Sequence, residues 1–305
     1  MSIYHIKSVD FSKNKFGKEL FKEEKDESYF CIIEGDALSS LKKMPDNYFQ
    51  SCITSPPYWG LRDYGIPNQI GAESDIDEYI NEIVKIFNEV KRTLKEDGTL
   101  WLNLGDTYAS NNNKIRYSDR KNPNRKMSYR PSAPNGLKEK DLIGVPWKIA
   151  FELQKSGWYL RSDIIWNKTN CQPESVKDRP TKCHEYIFLL TKSAKYQYNY
   201  DAIREPTVDG KGLRNRRTVW SIPTESNKYA HFAMFNRELI EPCILAGSNE
   251  GDLLLDPFFG SGTLGLSAID LKRKVIGIEL NPKYIDIAYE RYSDYQKSLK
   301  INNQN

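Results

Sequence analysis

The chain has 305 residues, which is enough for one large α/β domain or two small ones with a sizeable core. Its 45 lysines and arginines nearly balance 41 acidic residues, so the net charge of +4 permits nucleic-acid binding without demanding it. No run approaches the roughly 18 apolar residues of a membrane span, and the charged N-terminus lacks the apolar stretch of a signal peptide. The five cysteines are odd in number and form no C-x-x-C, which argues against a disulfide framework and a zinc site. We therefore expect a soluble cytoplasmic protein with reduced thiols and no metal.

Strands alternate with helices along most of the chain. Residues 1–28 are charge-rich and weakly patterned, so we expect an extension laid over the domain surface. Apolar residues recur every three or four positions over 75–95, which predicts an amphipathic helix that stops at Asp97-Gly98. The other predicted elements are strands at 29–36, 51–55, 99–106, 158–168, 184–193, 253–256 and 275–279, and helices at 145–157, 235–247 and after each of the last two strands. This alternation predicts a mostly parallel sheet with helices on both faces.

Two tracts are rich in basic residues. Residues 110–136 carry seven lysines and arginines, with Asp119 as the only acid, and a second basic tract spans 204–220. A charge run is usually a solvated surface. The same charges would also neutralise phosphates if the substrate were DNA.

A glycine-rich turn lies near the C-terminus. Gly260, Gly262 and Gly265 follow a strand and enter a helix, and Glu279 ends the next strand. Such a turn allows a ligand to approach the backbone and the helix N-terminus, while the acid can bind ribose hydroxyls. The spacing also matches the dinucleotide fingerprint, so a nicotinamide oxidoreductase is one alternative, although Asp256 and a proline interrupt the usual passage from strand to glycine. Only one helix follows Glu279, so earlier residues must supply the remaining strands, which is a permuted arrangement.

A stiff segment follows the strand at 51–55. Residues 54–59 read TSPPYW, and two prolines cannot continue a central strand. Alone, this segment would be a rigid turn with aromatic packing.

The two segments together resemble a known family. Residues 256–263, DPFFGSGT, resemble the cofactor motif of S-adenosylmethionine-dependent DNA amino-methyltransferases, and TSPPYW resembles their catalytic S-P-P-Y form. The order of the motifs is that of the permuted β class. The resemblance implies an α/β, Rossmann-like methyltransferase fold with a mostly parallel, seven-stranded sheet. It also implies a single catalytic domain over 29–305 with basic DNA-contacting insertions at about 107–141 and 194–230.

The resemblance assigns roles to individual residues. Ser55 Oγ and the Pro56 carbonyl would accept hydrogen bonds from the exocyclic amino group, Pro57 would stiffen the turn, and Tyr58 would stack on the base. S-P-P-Y is typical of enzymes that make N4-methylcytosine, and N6-methylation of adenine is the alternative. The residues expected to bind S-adenosylmethionine are Asp36, Asp256, Phe258, Gly260, Ser261, Gly262, Thr263, Glu279, His231 and Phe235. Among them, Asp36 and Phe258 would contact the adenine and Glu279 the ribose.

The implied partner is double-stranded DNA with the target base flipped out of the helix. The residues expected to contact DNA are Trp59, Lys114, Arg116, Arg120, Lys121, Arg125, Lys126, Arg130, Lys177, Arg179, Arg204, Arg214, Arg216 and Arg217. A cognate restriction endonuclease is a further expected partner. A DNA-binding protein without catalysis is the remaining alternative.

Overall fold

The computed structural model describes residues 2–6, 29–61, 66, 69–110, 133–134, 136–225 and 236–302. The strands are β1 (Ser2–Ile6), β2 (Tyr29–Glu34), β3 (Phe49–Thr54), β4 (Leu94–Leu104), β5 (Tyr159–Asn167), β6 (His184–Thr191), β7 (Glu205–Pro206), β8 (Leu213–Arg214), β9 (Val219–Ser221), β10 (Leu253–Asp256) and β11 (Lys274–Glu279). The helices are α1 (Ala37–Leu41), α2 (Ile76–Thr93), α3 (Val145–Lys155), α4 (Arg237–Gly247), α5 (Thr263–Asp270) and α6 (Pro282–Asn302), with a 3-10 helix at Asp201–Ile203.

One large sheet organises the chain, with the strand order β1-β2-β11-β10-β3-β4-β6-β5-β9. All neighbouring pairs are parallel except those made by β6, which runs antiparallel to β4 and β5. The last two strands of the chain thus lie between the first ones, since β11 pairs with β2 and β10 with β3. This arrangement confirms the predicted α/β class and the permuted order.

The sheet is wider than the seven strands that we expected, since it has nine strands in the described part of the chain. The N-terminal residues provide one of them. Ser2–Ile6 pairs with Tyr29–Ile33 as a parallel edge strand, so this part of the predicted surface extension belongs to the sheet. The short β9 pairs with β5 and forms the other edge. The division into a single catalytic domain with two basic insertions remains a prediction.

Helices cover both faces of the sheet. Helices α1, α2 and α3 pack on one face, where Leu41, Ile83 and Ile149 are fully buried. Helices α4, α5 and α6 pack on the other face, where Leu239 and Leu264 are buried. The parallel strands are therefore enclosed, and ligands can approach them only at their ends.

The predicted helix at 75–95 ends earlier than its periodicity indicated. Helix α2 stops at Thr93, and β4 begins at once with Leu94, which is fully buried and pairs with Phe49. Asp97 and Gly98 lie within this strand and do not terminate the helix. Burial of Leu94 in the sheet overrides the local stop signal.

The prediction of five reduced thiols was wrong. Cys171 and Cys183 form a disulfide, with their Cα atoms 5.3 Å apart. The antiparallel pairing of β5 and β6 brings the two ends of the connecting loop together, and Lys168 N donates to Cys183 O at 2.8 Å. A separation of 12 residues in sequence gave no sign of this contact. The other cysteines, among them Cys52 and Cys243, are free and buried, as a core role predicts.

Within the described residues, none of the helices combines the length and apolar character needed to cross a membrane.

Candidate active site

A cleft of about 690 Å³ opens along the carboxyl ends of the parallel strands. Eleven of the predicted catalytic and cofactor residues line it: Asp36, Ser55, Pro56, Pro57, Tyr58, Asp256, Phe258, Gly260, Ser261, Thr263 and Glu279. Open α/β sheets bind ligands at this edge, where the direction of the connections changes. The cleft is therefore the candidate active site.

The turn 55–58 is fixed from several sides. Tyr79 on α2 donates its hydroxyl hydrogen to the Pro57 carbonyl at 2.9 Å. The Tyr58 ring lies against the backbone of Gly105, where a Cβ would approach its Cε2 to 2.6 Å. A larger residue at 105 would therefore displace the tyrosine ring. These contacts hold Ser55 and the Pro56 backbone at the cleft wall.

A polar cluster lies behind this turn. The Tyr58 hydroxyl donates to Glu185 Oε2 at 2.7 Å, and Asn103 Nδ2 lies 2.8 Å from the Tyr58 hydroxyl and 2.9 Å from Glu185 Oε2. Asn103 Nδ2 is also 3.3 Å from Ser55 Oγ. Lys168 donates to Glu185 Oε1. Tyr58 and Asn103 thus connect the predicted catalytic serine to the partly buried ion pair of Glu185 and Lys168.

The charges of this cluster shift the pKa values of its members. Burial raises the pKa of Glu185, but the neighbouring Lys168 charge and the hydrogen bonds from Lys168, Asn103 and Tyr58 outweigh it, so the net pKa is lowered. Burial, followed by the Glu185 charge, raises the pKa of Tyr58 well above its ordinary value. Glu185 is therefore an ionised acceptor at neutral pH, and Tyr58 is a neutral donor.

Asn103, Lys168 and Glu185 were not predicted as site residues. One signal was available for Glu185, because it is an acid in the otherwise apolar strand HEYIFLL. An unexplained acid in an apolar strand was the reason for selecting Glu279. Asn103 and Lys168 had no comparable signal, since both stand at strand ends where polar residues are common.

A hydrogen bond joins the two sequence motifs. Thr54 Oγ1, at the end of β3, donates to Asp256 Oδ1, at the end of β10, at 2.6 Å across 202 residues of sequence. The same oxygen accepts from Phe258 N at 3.0 Å. Burial raises the pKa of Asp256 to about 7. The hydrogen bonds from Thr54 and Phe258 act in the opposite direction, and the negative charge of Glu279 raises the pKa slightly further. The catalytic turn and the glycine-rich turn are thus held to each other directly.

Glu279 organises the glycine-rich turn from the neighbouring strand. Its two oxygens accept from Gly260 N and from Asn281 N, each at 2.7 Å. Burial nonetheless raises its pKa to about 6. The carboxyl lines the cleft, and its contact with a ribose remains a prediction.

Arg291 on α6 supports the same turn from behind. Its Nη1 donates to Ser261 O at 2.7 Å, to Ser261 Oγ at 2.9 Å and to Thr263 Oγ1 at 3.0 Å. The guanidinium is buried, which lowers its pKa to about 10. Both hydroxyls, predicted as ligand contacts, therefore also serve the packing of the turn. Arg291 was not predicted as a site residue, because no local pattern distinguishes it among the charges of α6.

Gly262 is not among the residues that line the cleft, and its contact with the cofactor remains a prediction. It precedes α5 with φ +80°, and a Cβ there would lie 3.1 Å from Ala288 Cβ on α6. Glycine suits this position because the backbone is left-handed there and because α6 packs closely against it. Asp36 caps α1 by accepting from Ser39 N at 2.8 Å, and it also lines the cleft.

The described residues predicted to contact DNA have varied environments. Trp59 is only 4% exposed and donates to Glu73 O at 3.0 Å, so it is a core residue and the predicted DNA contact is wrong. Arg179 stacks 3.8 Å over the Tyr108 ring. Lys177 and Arg217 are exposed, and the others are paired on or near the β7-β8 hairpin: Arg204 with Asp201, Arg214 with Glu205, and Arg216 against the Trp220 ring. The DNA roles of these residues, Trp59 excepted, remain predictions.

Several predicted site residues lie outside the described part of the chain. They are His231, Phe235, Lys114, Arg116, Arg120, Lys121, Arg125, Lys126 and Arg130.

Comparison with known proteins identifies the family. The family model described as DNA methylase matches residues 49–290, and the chain belongs to this DNA methylase family. It is 58% identical over 260 residues to the Type II methyltransferase M.Cfr9I of Citrobacter freundii, which covers 85% of this chain and 86% of the relative. It is 57% identical over 261 residues to the Type II methyltransferase M.SmaI of Serratia marcescens, covering 85% and 89%. The predicted family and enzyme class are thereby confirmed.

Solved structures share the fold. PvuII DNA methyltransferase, described as cytosine-N4-specific, superimposes with a TM-score of 0.65 at 20% identity, over 87% of this chain and 86% of that chain. A protein of Thermus thermophilus, solved in complex with S-adenosyl-L-methionine, has a TM-score of 0.59 at 25% identity, over 86% and 93%. The predicted fold class is confirmed by both.

Proposed function

We propose that this DNA methylase transfers a methyl group from S-adenosylmethionine to the N4 amino group of cytosine in duplex DNA. The observation that carries the proposal is the Thr54 to Asp256 hydrogen bond, which joins the S-P-P-Y turn to the glycine-rich turn at one cleft. An amino group held at Ser55 would therefore lie beside a cofactor held at Gly260. The nicotinamide alternative is set aside, because the chain belongs to the DNA methylases.

The residues at one half of the cleft fit the cofactor. Asp36, Asp256 and Glu279 place three carboxyl groups there, and burial raises the pKa of the last two to about 7 and about 6. No cation contributes to either shift, so neither carboxyl has a positive partner among the described residues. This suits a ligand that brings a positive charge near Asp256 and ribose hydroxyls to Glu279. S-adenosylmethionine, the cofactor expected from the sequence and found with similar structures, supplies an electrophilic methyl group when bound.

The catalytic turn acts on the amino group. An exocyclic amino nitrogen is a poor nucleophile, because its lone pair is delocalised into the ring. Two fixed acceptors, Ser55 Oγ and the Pro56 carbonyl, would draw its hydrogens out of the ring plane and localise the lone pair. Since the prolines and the Tyr79 contact hold this turn before the substrate arrives, no reorganisation is needed during the reaction. Orientation of the nitrogen toward the methyl group would supply much of the remaining acceleration.

Cytosine N4 is favoured over adenine N6 by the serine at position 55. The target base would be flipped into the cleft, since a stacked base cannot reach it. DNA is the macromolecular partner of the family. A restriction endonuclease of the same sequence specificity is a further proposed partner, supported by the Type II names of the similar proteins. The genes beside that of this protein would test this partner.

The decisive experiment uses methyl-labelled S-adenosylmethionine and duplex DNA, followed by mass spectrometry of the nucleosides. N4-methylcytosine is the expected product. N6-methyladenine would overturn the base assignment, and absence of any labelled nucleoside would overturn the activity.

The Ser55→Ala variant tests the role of the turn. We expect turnover to fall at least about 100-fold, as for other fixed groups at a reacting centre. The Kd of S-adenosylmethionine, measured by calorimetry, should change less than about twofold. Equal losses in turnover and cofactor affinity would contradict the role assigned to Ser55.

A further inference from the structure

The cleft contains an ionised carboxylate that the proposed chemistry does not use. The Glu185 side chain is 15% exposed and lies behind the catalytic turn, at the start of β6. It contacts neither the glycine-rich turn nor the Asp256 carboxyl in any described hydrogen bond. Its partners are Tyr58, Asn103 and Lys168. A charge buried at this depth is costly unless its partners are well placed.

The hydrogen-bond capacities of the cluster fix its direction. An ionised carboxylate only accepts, so Tyr58 must give its single hydroxyl hydrogen to Glu185. The Asn103 amide has two hydrogens, and its two shortest contacts are Tyr58 at 2.8 Å and Glu185 at 2.9 Å. The Ser55 hydroxyl, 3.4 Å from the Tyr58 oxygen, then donates towards that oxygen. The chain of donors therefore runs from Ser55 through Tyr58 to Glu185.

This direction has a chemical consequence at Ser55. A hydroxyl that has committed its hydrogen to Tyr58 presents lone pairs to the cleft. A substrate amino group offers hydrogens, so it needs acceptors. If a neutral amide replaced the carboxylate, it could donate to Tyr58 and reverse the chain. Tyr58 would then donate to Ser55 Oγ and compete with the substrate amino group for the lone pairs of that oxygen.

Lys168 maintains the required charge. It donates to Glu185 Oε1 and lies 4.5 Å from the centre of the Trp166 ring. Two other ionisable groups face this corner: Lys182, which is paired with Asp106 at 3.8 Å, and His184, whose pKa is lowered by burial.

We propose that Glu185, held as a carboxylate by Lys168, is a positioning residue that directs the hydrogen bonds of Tyr58 and Asn103 so that Ser55 faces the substrate amino group as an acceptor. The inference rests on the proposed function. Glu185 and Lys168 would act in the methyl-transfer step, and they would not hold the cofactor or the DNA.

The first test compares Glu185→Gln, Tyr58→Phe and the double variant in single-turnover methyl transfer to DNA. Glu82→Gln is the matched control, because Glu82 also pairs with a lysine, Lys85, but on the exposed surface of α2. We expect Glu185→Gln to slow the methyl-transfer rate roughly 100-fold, while the Kd values for cofactor and DNA change less than threefold. The double variant should be no slower than the slower single variant, since Glu185 acts through Tyr58. Glu82→Gln should match the wild type.

A pH profile provides a second readout that a purely structural role would not move. In Lys168→Met the pKa of Glu185 rises, because its cation is gone. The ratio of the Lys168→Met rate to the wild-type rate should then increase with pH, since the titrations of Asp256 and Glu279 are common to both proteins. This test remains decisive if thermal unfolding shows that Glu185→Gln does not fold.

The outcomes separate the two proposals. If the wild type methylates DNA, any one of three results would overturn the role of Glu185 alone. These are a Glu185→Gln rate within threefold of the wild type, losses that multiply in the double variant, and a ratio of Lys168→Met to wild-type rates that does not change with pH. A wild type that transfers no methyl group would overturn the proposed function.

Discussion

We expect the buried carboxyl of Asp256 to make the stability of the protein fall as the pH rises from about 4 to about 7. Burial raises its pKa to about 7 in the folded chain, whereas an unfolded chain has an aspartate pKa of about 3.9. Between these values the unfolded state ionises while the folded state keeps its proton, so each pH unit costs about 1.36 kcal/mol. Below about pH 4 both states are protonated and the loss is absent. Above about pH 7 it is complete, at about 4 kcal/mol from this one group.

Urea unfolding of the wild type and Asp256→Asn at pH 5, 6, 7 and 8, without cofactor, measures this effect. The amide does not titrate, and other groups contribute similarly to both proteins. The free energy of unfolding of the wild type, relative to the variant, should fall by about 3 kcal/mol between pH 5 and 8, with most of the fall below pH 7. A difference that is constant, or that rises with pH, would refute burial as the cause of the raised pKa.

Two further substitutions probe the packing that shapes the turn. Gly277→Ala should destabilise the fold by at least about 1–3 kcal/mol in urea unfolding, because its Cβ would lie 2.2 Å from the buried Phe259 ring. Gly212→Ala is the control, since no atom lies within 4 Å of a Cβ there, and comparable losses in both would contradict the explanation. Arg291→Met removes three hydrogen bonds to Ser261 and Thr263, so we expect a loss of roughly 3 kcal/mol in stability. Cofactor affinity by calorimetry should weaken about tenfold, and unchanged affinity would show that the turn holds its shape unaided.

The sequence was sufficient to predict which turns form the cleft. Alternating strands and helices indicated a parallel sheet, and a parallel sheet brings the ends of its strands to one edge. Two short motifs at strand ends then had to meet. Their meeting depends on the pairing of β3 with β10, which periodicity alone could not specify. The resemblance to a family supplied that neighbour relation.

The residues that escaped prediction act through residues that were predicted. Arg291 and Glu185 contact side chains that were predicted, but they lie on α6 and β6, far from both motifs in sequence. Local sequence patterns report burial and turns, and they carry no information on which distant polar group completes a buried hydrogen bond. The same limit explains Trp59, whose aromatic ring looked suited to a base but fills the core beside the turn.

The permuted order of the motifs is compatible with the same geometry. The Thr54 to Asp256 contact requires only that β3 and β10 be parallel neighbours whose carboxyl ends coincide. It does not require that one follow the other along the chain. Because helices connect the strands over the faces of the sheet, the chain can be opened at a different connection without moving either turn. The contacts that define this cleft are therefore properties of strand order in space, and chain order affects only which residues must be searched for as partners.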